Sequence, residues 1–490
     1  MVSLPVLALL APLAWAAASP PAWASLARVD YDAPPVPNAS SLVGLTVCGY
    51  QQWFRAPNDT ATNEGWTHWG NGVGALHNGT GIEEDYWPDL TEFGDDEKFA
   101  APGYKFADGS QAYLFSSINA RTTLRHFQWM EAYGIDGVAL QSFGPLGLDH
   151  EILNHTLAAA AATNRVAYVE YDLSGYAGRG AAAAAMLKED WAGLRRQGVP
   201  VHARYVHEGG LPVVGIFGFY MNRFSGEEAN AILDVFDGTA FVAGAGQWWW
   251  RSDKPSANWT RAYDRMGSWS PWNAGNWNGD AAHPAAATGY WAADKAAAEQ
   301  AGVLWQPELA PGMSTNHRDG TPPGSGRLPR LRGAYLWAQF YAAATIKAKT
   351  AFVGMFDELD EGTQILKVVN DPPAPGDIGY EGLPSDCYLV LTGLGSKMLR
   401  GDAPPNATTP DCAALTQPTA PAARAPAAGV LRWSPALALA GGGAVDHYEV
   451  LVDGAVRRTA DAATLAVASA ATSFRVRAVN SLGNAGAWSP

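Results

Sequence analysis

Eight short apolar runs, most of them ending in a polar or aromatic residue, constrain this chain more than any other feature. They are LVGLTVCGY (42–50), DGVALQS (136–142), RVAYVEYD (165–172), LPVVGIFGF (211–219), TAFVAGAG (239–246), RMGSWSPW (265–272), GVLWQPEL (302–309) and TAFVGMFDE (350–358). Helical patterns fall between most of them, clearest at 120–133, 181–197 and 331–347. Such alternation predicts βα units around a parallel sheet, and eight units predict a (β/α)8 TIM barrel over residues 42–401. The sixth run is the weakest. The 51–118 connection is too long for a βα loop and is expected to be an irregular excursion or lid.

The flanks carry different signals. Residues 2–18 form a short apolar run broken by Pro5 and Pro12, followed by the small-x-small pattern Ala22-Trp23-Ala24. This predicts a secretory signal peptide over 1–24. No later stretch reaches ~18 uninterrupted apolar residues, so no transmembrane segment is expected. Six glycosylation sequons, at Asn38, Asn58, Asn78, Asn154, Asn258 and Asn406, agree with secretion or residence in the secretory-pathway lumen. In that oxidising compartment Cys387 and Cys412, which flank a loop, are placed to pair, and Cys48 inside its strand pattern is expected to be a buried thiol. Residues 402–428 are dense in Pro, Ala and Thr and predict a stiff, solvated linker. Residues 429–490 hold short alternating strands with turns at Asp453-Gly454 and Gly483-Asn484. They resemble a fibronectin type III sandwich in the strands around Trp433 and Tyr448 and the closing VRAVNSLGNAGAWS. Such an all-β module implies a spacer or docking role.

Composition narrows the partners. With 33 basic and 47 acidic residues the net charge is −14, which argues against a nucleic-acid partner. Twenty Trp, 18 Tyr and 16 Phe, many in polar Gly-rich company, suit flat hydroxylated ligands such as sugars. The strongest chemical signal is Phe356-Asp357-Glu358-Leu359-Asp360-Glu361-Gly362, with four carboxylates in five positions at the end of the eighth run. Repulsion and partial burial raise the pKa of at least one of them. A raised carboxyl beside an ionised one is what glycoside hydrolysis needs. A solvated acidic turn, or a cation site, is the alternative. There is no GxSxG elbow, Walker loop, GxGxxG, CxxC pair or HExxH, so neither a metal nor an organic cofactor is expected. Other cleft candidates follow the remaining strands. Tyr50 and Trp53 would form a subsite floor or core. His68 and Trp69 lie in a polar loop, as ligand contacts or loop anchors. Trp250 and Arg251 would make a stacking wall after the fifth strand, and Trp272 and Glu308 would line the cleft.

The chain resembles the superfamily of glycoside hydrolase families 99 and 71, in the branch related to endo-α-mannosidases. The matching stretches are GYQQWF (49–54), GWTHWGNG (65–72), WPDL (87–90), HFQWMEAYGIDGVALQ (126–141), VEYDLSG (169–175), SPWNAG (270–275), LPRLRGAYLWAQ (328–339) and FDELDEGTQ (356–364). The last is similar to the family 99 motif F-N-E-W-H-E-G-T-Q. The resemblance implies a retaining hydrolase of α-mannosides acting through a 1,2-anhydro sugar. Glu361 would be the general acid, and Glu358 the base that draws the proton from the sugar 2-hydroxyl. Glu170 and Asp172 would bind sugar hydroxyls. Two departures, Asp357 for Asn and Leu359-Asp360 for Trp-His, add negative charge against both catalytic candidates and put Asp357 among the substrate-binding candidates. The expected protein is a secreted monomer acting on α-linked glycans. An α-1,3-glucanase and a carbohydrate-binding barrel without turnover are the alternatives.

Overall fold

The computed structural model describes residues 19–30, 34–60, 65–70, 76–143, 150–244, 256–274, 276–278, 285–322, 328–374, 376–439 and 443–489. Strands form within all eight apolar runs: β1 (Thr46–Tyr50), β2 (Gly137–Ser142), β3 (Val166–Asp172), β4 (Leu211–Phe217), β5 (Phe241–Gly244), β6 (Ser268–Trp269), β7 (Leu304–Trp305, resumed at Glu308–Leu309) and β8 (Ala351–Val353). Neighbours pair in parallel from β1 through β7. The two halves of β7 face opposite ways: Leu304 and Trp305 pair with β6, while Glu308 and Leu309 pair with β8. Because β8 also pairs with β1, the sheet curls back onto its first strand. This is a TIM-barrel-like α/β fold.

Helices α1 (Ala120–Tyr133), α2 (His150–Thr163), α3 (Gly180–Arg196), α4 (Gly226–Asp234), α5 (Ala257–Arg265), α6 (Trp291–Ala301), α7 (Ala334–Thr345) and α8 (Cys387–Arg400) follow the strands in turn. Their ends obey local chemistry. Asn119 accepts the Arg121 N–H at the start of α1, and Gly134 ends that helix in the left-handed conformation. Every residue of β1, β2 and β3 is buried, since one face points into the barrel and the other meets helices. At about 1.5–3 kcal/mol for each large aliphatic side chain removed from water, these strands are the main source of cohesion.

The 51–118 excursion is not a detached lid. Phe54, Trp69, Trp87, Phe93 and Phe115 belong to the same apolar core as the barrel strands. Backbone bonds from Asp89 to Lys367, from Val369 to Trp87 and from Ile378 to Asp85 stitch it to the segment after β8. The excursion is thereby a wall of the barrel mouth.

The C-terminal residues form two antiparallel sheets from β9 (Ala423–Ala427), β10 (Val430–Trp433), β11 (Val445–Val452), β12 (Ala455–Arg458), β13 (Ala466–Ala468) and β14 (Arg475–Asn480). One sheet orders β9-β10-β13. The other orders β12-β11-β14, with Ala27–Arg28 added at the edge of β12. Leu431, Trp433, Tyr448, Val450 and Val476 make a separate core, which also takes in Leu26. Two expectations change here. Strand β9 begins inside the span expected to be linker, because alternate small residues fit an edge strand even where Pro interrupts the donor row. The Pro-rich stretch before it is anchored as well, through a disulfide between Cys412 and Cys387 at the start of α8. The end of the expected signal peptide also rests on this module: Ala468 N–H donates to Pro21 C=O at 2.9 Å, and the Arg457 guanidinium lies 5.4 Å over the Trp23 ring.

Candidate active site

The four carboxylates after β8 have four different surroundings, each supplied by a different element. Asp357 is fully buried, and its two oxygens accept the backbone N–H groups of Gln51 (2.8 Å) and Gln52 (3.0 Å) just after β1. Burial pushes its carboxyl up to about 7 against the pull of those two bonds. Asp357 therefore ties the end of β8 to the end of β1 and has no face left for a sugar, which corrects its placement among the substrate ligands.

Glu358 has both oxygens engaged, Oε1 by Gln51 Nε2 at 3.0 Å and Oε2 by Thr363 Oγ1 at 2.8 Å. Burial, then the charges of Glu361 and Asp360, hold its carboxyl well above the usual range, and the Thr363 hydrogen bond partly offsets them. Asp360 Oδ2 meets His68 Nδ1 at 3.1 Å. Glu361 is half-exposed, and its Oε1 accepts from Arg318 Nη1 at 3.2 Å. The turn that presents Glu361 requires the next residue to be glycine. Gly362 has φ +63°, and a Cβ there would stand 2.6–2.7 Å from the Ser314 backbone. That close approach lets Ser314 N–H bond the Glu361 carbonyl at 3.0 Å.

The Arg318 loop is itself braced from the 51–118 excursion. Buried Asp85 accepts from the backbone of Asn316 and His317 and from the side chains of Ser314 and Asn316. Beside it, Glu84 is fully buried and its carboxyl is raised by burial and then by Asp360.

Across the mouth, β3 presents Glu170 and Asp172, both nearly buried. Asp172 accepts from Gln141 Nε2 at 2.7 Å and from Ser174 N–H at 2.6 Å. Burial and the Asp172 charge push Glu170 up to about 8. Half-buried Trp272 meets Phe217 edge-on at 4.8 Å. On the near side half-buried Trp53 stacks on His68, with ring centroids 4.0 Å apart and planes within 3°, and on Phe143 at 5.6 Å. Phe143 is 46% exposed.

Three further candidates do not line the cleft. Tyr50 is wholly buried with its hydroxyl 2.9 Å from His126 Nδ1, so it packs the core and is no subsite floor. Trp69 is likewise wholly buried and donates Nε1–H to the Phe115 carbonyl at 2.9 Å. It anchors its loop, packed between Phe54 and Phe115. Glu308 has no exposed surface and accepts the Asn273 N–H at 2.6 Å; it reaches toward the gap left by Gly354, and burial pushes its carboxyl up to about 8. It braces the loop after β6 and does not line the cleft. Trp250 and Arg251 lie outside the described residues.

The surface candidates are simpler. All six sequon asparagines are exposed. Cys48 is a buried free thiol whose pKa burial raises. Among the described residues, no group of three or more His, Cys, Asp or Glu is arranged to hold a metal ion, and no helix is long and apolar enough to cross a membrane.

No family model matches the chain, and no curated protein does. Two solved structures of the GH99 endo-α-mannosidase from Bacteroides thetaiotaomicron, one of them in complex with bis-tris-propane, superpose on it with a TM-score of 0.56. Identity is 16%, and the match covers 74% of this chain and 99% of theirs. The chain shares the fold of these two structures. Parallel barrels assemble their ligand sites at the C-terminal strand ends. In this GH99-like fold Gln51, Gln141, Glu170, Asp172, Trp272, Glu358 and Glu361 all stand at or just beyond such ends. Gln51, Thr363, Arg318, Asp85 and Glu84 were not among the candidates from sequence. Gln51 could have been found from its place just after β1 and Thr363 from its place in the motif after β8; the others carry no local signal.

Proposed function

We propose that this chain is a secreted, N-glycosylated, monomeric glycoside hydrolase, a (β/α)8 barrel with a C-terminal fibronectin type III-like sandwich, that cleaves α-linked glycans, mannose-containing ones first. The observation that carries the proposal is the pairing after β8. Glu358 and Glu361 belong to one electrostatically linked cluster, one buried and held by two hydrogen bonds, the other half-exposed beside an arginine.

In this reading Glu361, at the open side, protonates the departing glycosidic oxygen. Glu358 removes the proton from the sugar 2-hydroxyl, whose oxygen displaces the leaving group from the opposite face, and water then opens the 1,2-anhydro sugar with retention. An axial 2-hydroxyl trans to the leaving group suits this step, which favours α-mannosides. The raised pKa of Glu358 makes it a stronger base once ionised, and Gln51 with Thr363 fixes the carboxylate plane. Asp172 and Glu170 would accept from hydroxyls of the bound ring, with Trp272, Trp53 and His68 as flanking faces. No metal or organic cofactor enters the scheme.

The test is hydrolysis of α-mannans, α-1,3-glucan and α-mannosyl fluorides by wild type, Glu358→Gln and Glu361→Gln. Mannoside turnover abolished by both substitutions supports the proposal. Turnover of α-1,3-glucan alone would replace the substrate class. Glycan binding without turnover in the wild type would make the barrel a binding protein.

A further inference from the structure

Arg330 is an enclosed cation beside the site. It is 2% exposed and lies just before the turn that leads into α7. Among the described residues no carboxylate pairs with it. Its guanidinium is instead ringed by three tyrosines, with centroids at 4.5 Å (Tyr388), 4.8 Å (Tyr86) and 4.9 Å (Tyr380). Its Nε donates to Tyr86 Oη at 3.0 Å, and Nη2 donates to the carbonyls of Gly362 and Gln364, each at 2.8 Å.

Burying a guanidinium without a counter-ion is costly, and a well-packed apolar side chain commonly does as well or better for stability. What the charge secures here is specific. The two carbonyls it grips flank Thr363, the residue whose hydroxyl holds Glu358 Oε2 and whose N–H bonds the Glu358 carbonyl at 3.1 Å. The first of the two carbonyls belongs to Gly362, directly after Glu361. A single planar donor therefore fixes the peptide that enters Thr363 and the peptide that follows Gln364, bracketing the residue that orients one catalytic candidate, and abuts the other.

We propose that Arg330 is the positioning residue of the carboxylate loop: through the carbonyls of Gly362 and Gln364 it sets Thr363, and through Thr363 the plane of Glu358, without touching substrate. Its effect on turnover rests on the hydrolase reading above; its effect on the loop does not. Lysine keeps the charge but cannot grip two carbonyls from one plane or stack flat on three rings.

The experiment compares wild type, Arg330→Lys, Arg330→Ala and Tyr86→Phe by steady-state kinetics and by amide hydrogen exchange. A small displacement of catalytic groups costs on the order of 100-fold in rate, so Arg330→Lys should lose about 10–100-fold in kcat with KM within about twofold. Millimolar guanidinium should restore part of the kcat of Arg330→Ala. In Arg330→Lys the Gly362, Thr363 and Ile365 amides should exchange at least about tenfold faster while those of α7 keep their rates. A higher KM at unchanged kcat overturns the proposal, as do wild-type exchange rates at those three amides in a folded Arg330→Lys. Should that variant not fold, Tyr86→Phe, which removes only the acceptor of Nε, decides on the same two readouts. A wild type without turnover refutes the hydrolase reading, and exchange alone then decides Arg330.

Discussion

Replacing Thr363 by valine removes one hydrogen-bond donor and almost no volume. Thr363 is 1% exposed, and its Oγ1 is 2.8 Å from Glu358 Oε2. A hydrogen bond to a charged group contributes about 1.5–3 kcal/mol, and one pKa unit corresponds to about 1.36 kcal/mol. The bond favours the ionised carboxylate, so its loss should raise the already raised pKa of Glu358 further. If Glu358 is the base, kcat/KM climbs with pH as its proton leaves, and in Thr363→Val the same climb occurs about 1–2 pH units higher. At a fixed pH below the climb the variant should be about 10–100-fold slower, and alkaline buffer should recover it. The assay is kcat/KM against pH for an α-mannosyl fluoride, with far-UV dichroism showing that the variant is folded. A climb that stays in place, or moves to lower pH, refutes this electrostatic account of Glu358. A variant faster than wild type near neutrality would instead give Glu358 the acid's role.

Two further predictions concern stability. The folded-state pKa of Glu308 is about 8, above its ordinary value, so the native state keeps a proton that the unfolded chain releases. Stability from this group is therefore present in mild acid and lost as pH rises from about 4.3 to 8, by up to about 5 kcal/mol. Glu308→Gln cannot ionise and its carbonyl still accepts the Asn273 N–H, so it should match wild type near pH 4 and melt higher at pH 8; equal melting temperatures at pH 8 would sink the claim. The Cys387–Cys412 disulfide closes a loop with a sequence separation of 25, which in the chain-entropy model stabilises by about 3.5 kcal/mol. Cys412→Ser should lower the urea midpoint accordingly, and a loss below about 1 kcal/mol would show that the Cys412–Leu415 turn is held by its packing alone.

The barrel was legible because its signal is local. Each of the eight strands lies inside a run of apolar residues, and Ala120–Tyr133 matches the expected helix to the residue. Two-residue β6 is short where its run was weak. The excursion from 51 to 118 was not legible, because polar and glycine-rich segments conceal aromatic residues spaced irregularly. Trp69 sits between polar neighbours in sequence and between Phe54 and Phe115 in space. Tyr50 and Glu308 show a related failure. A residue at the end of a barrel strand points either into the mouth or into the layer behind it, and a strand of two to five residues does not fix which.

The motif after β8 shows why a site can be half visible. Four carboxylates in five positions announce chemistry, yet the sequence is silent on how they divide it. The division is made by partners far along the chain: Gln51 lies 307 residues from Glu358, and His68 lies 292 from Asp360. Those separations follow from closure. A sheet that curls until β8 pairs with β1 brings the segment after the last strand against the segment after the first. Asp357 then becomes a clamp on the Gln51 and Gln52 backbone, and Gln51 is free to hold Glu358. The same closure brings the 51–118 excursion over the mouth, where His68 reaches Asp360 and Asp85 steadies the loop that carries Arg318 to Glu361. A carboxylate run on an isolated loop would relieve its repulsion in water. Here the barrel denies it that route, and the raised carboxyl of Glu358 is the consequence.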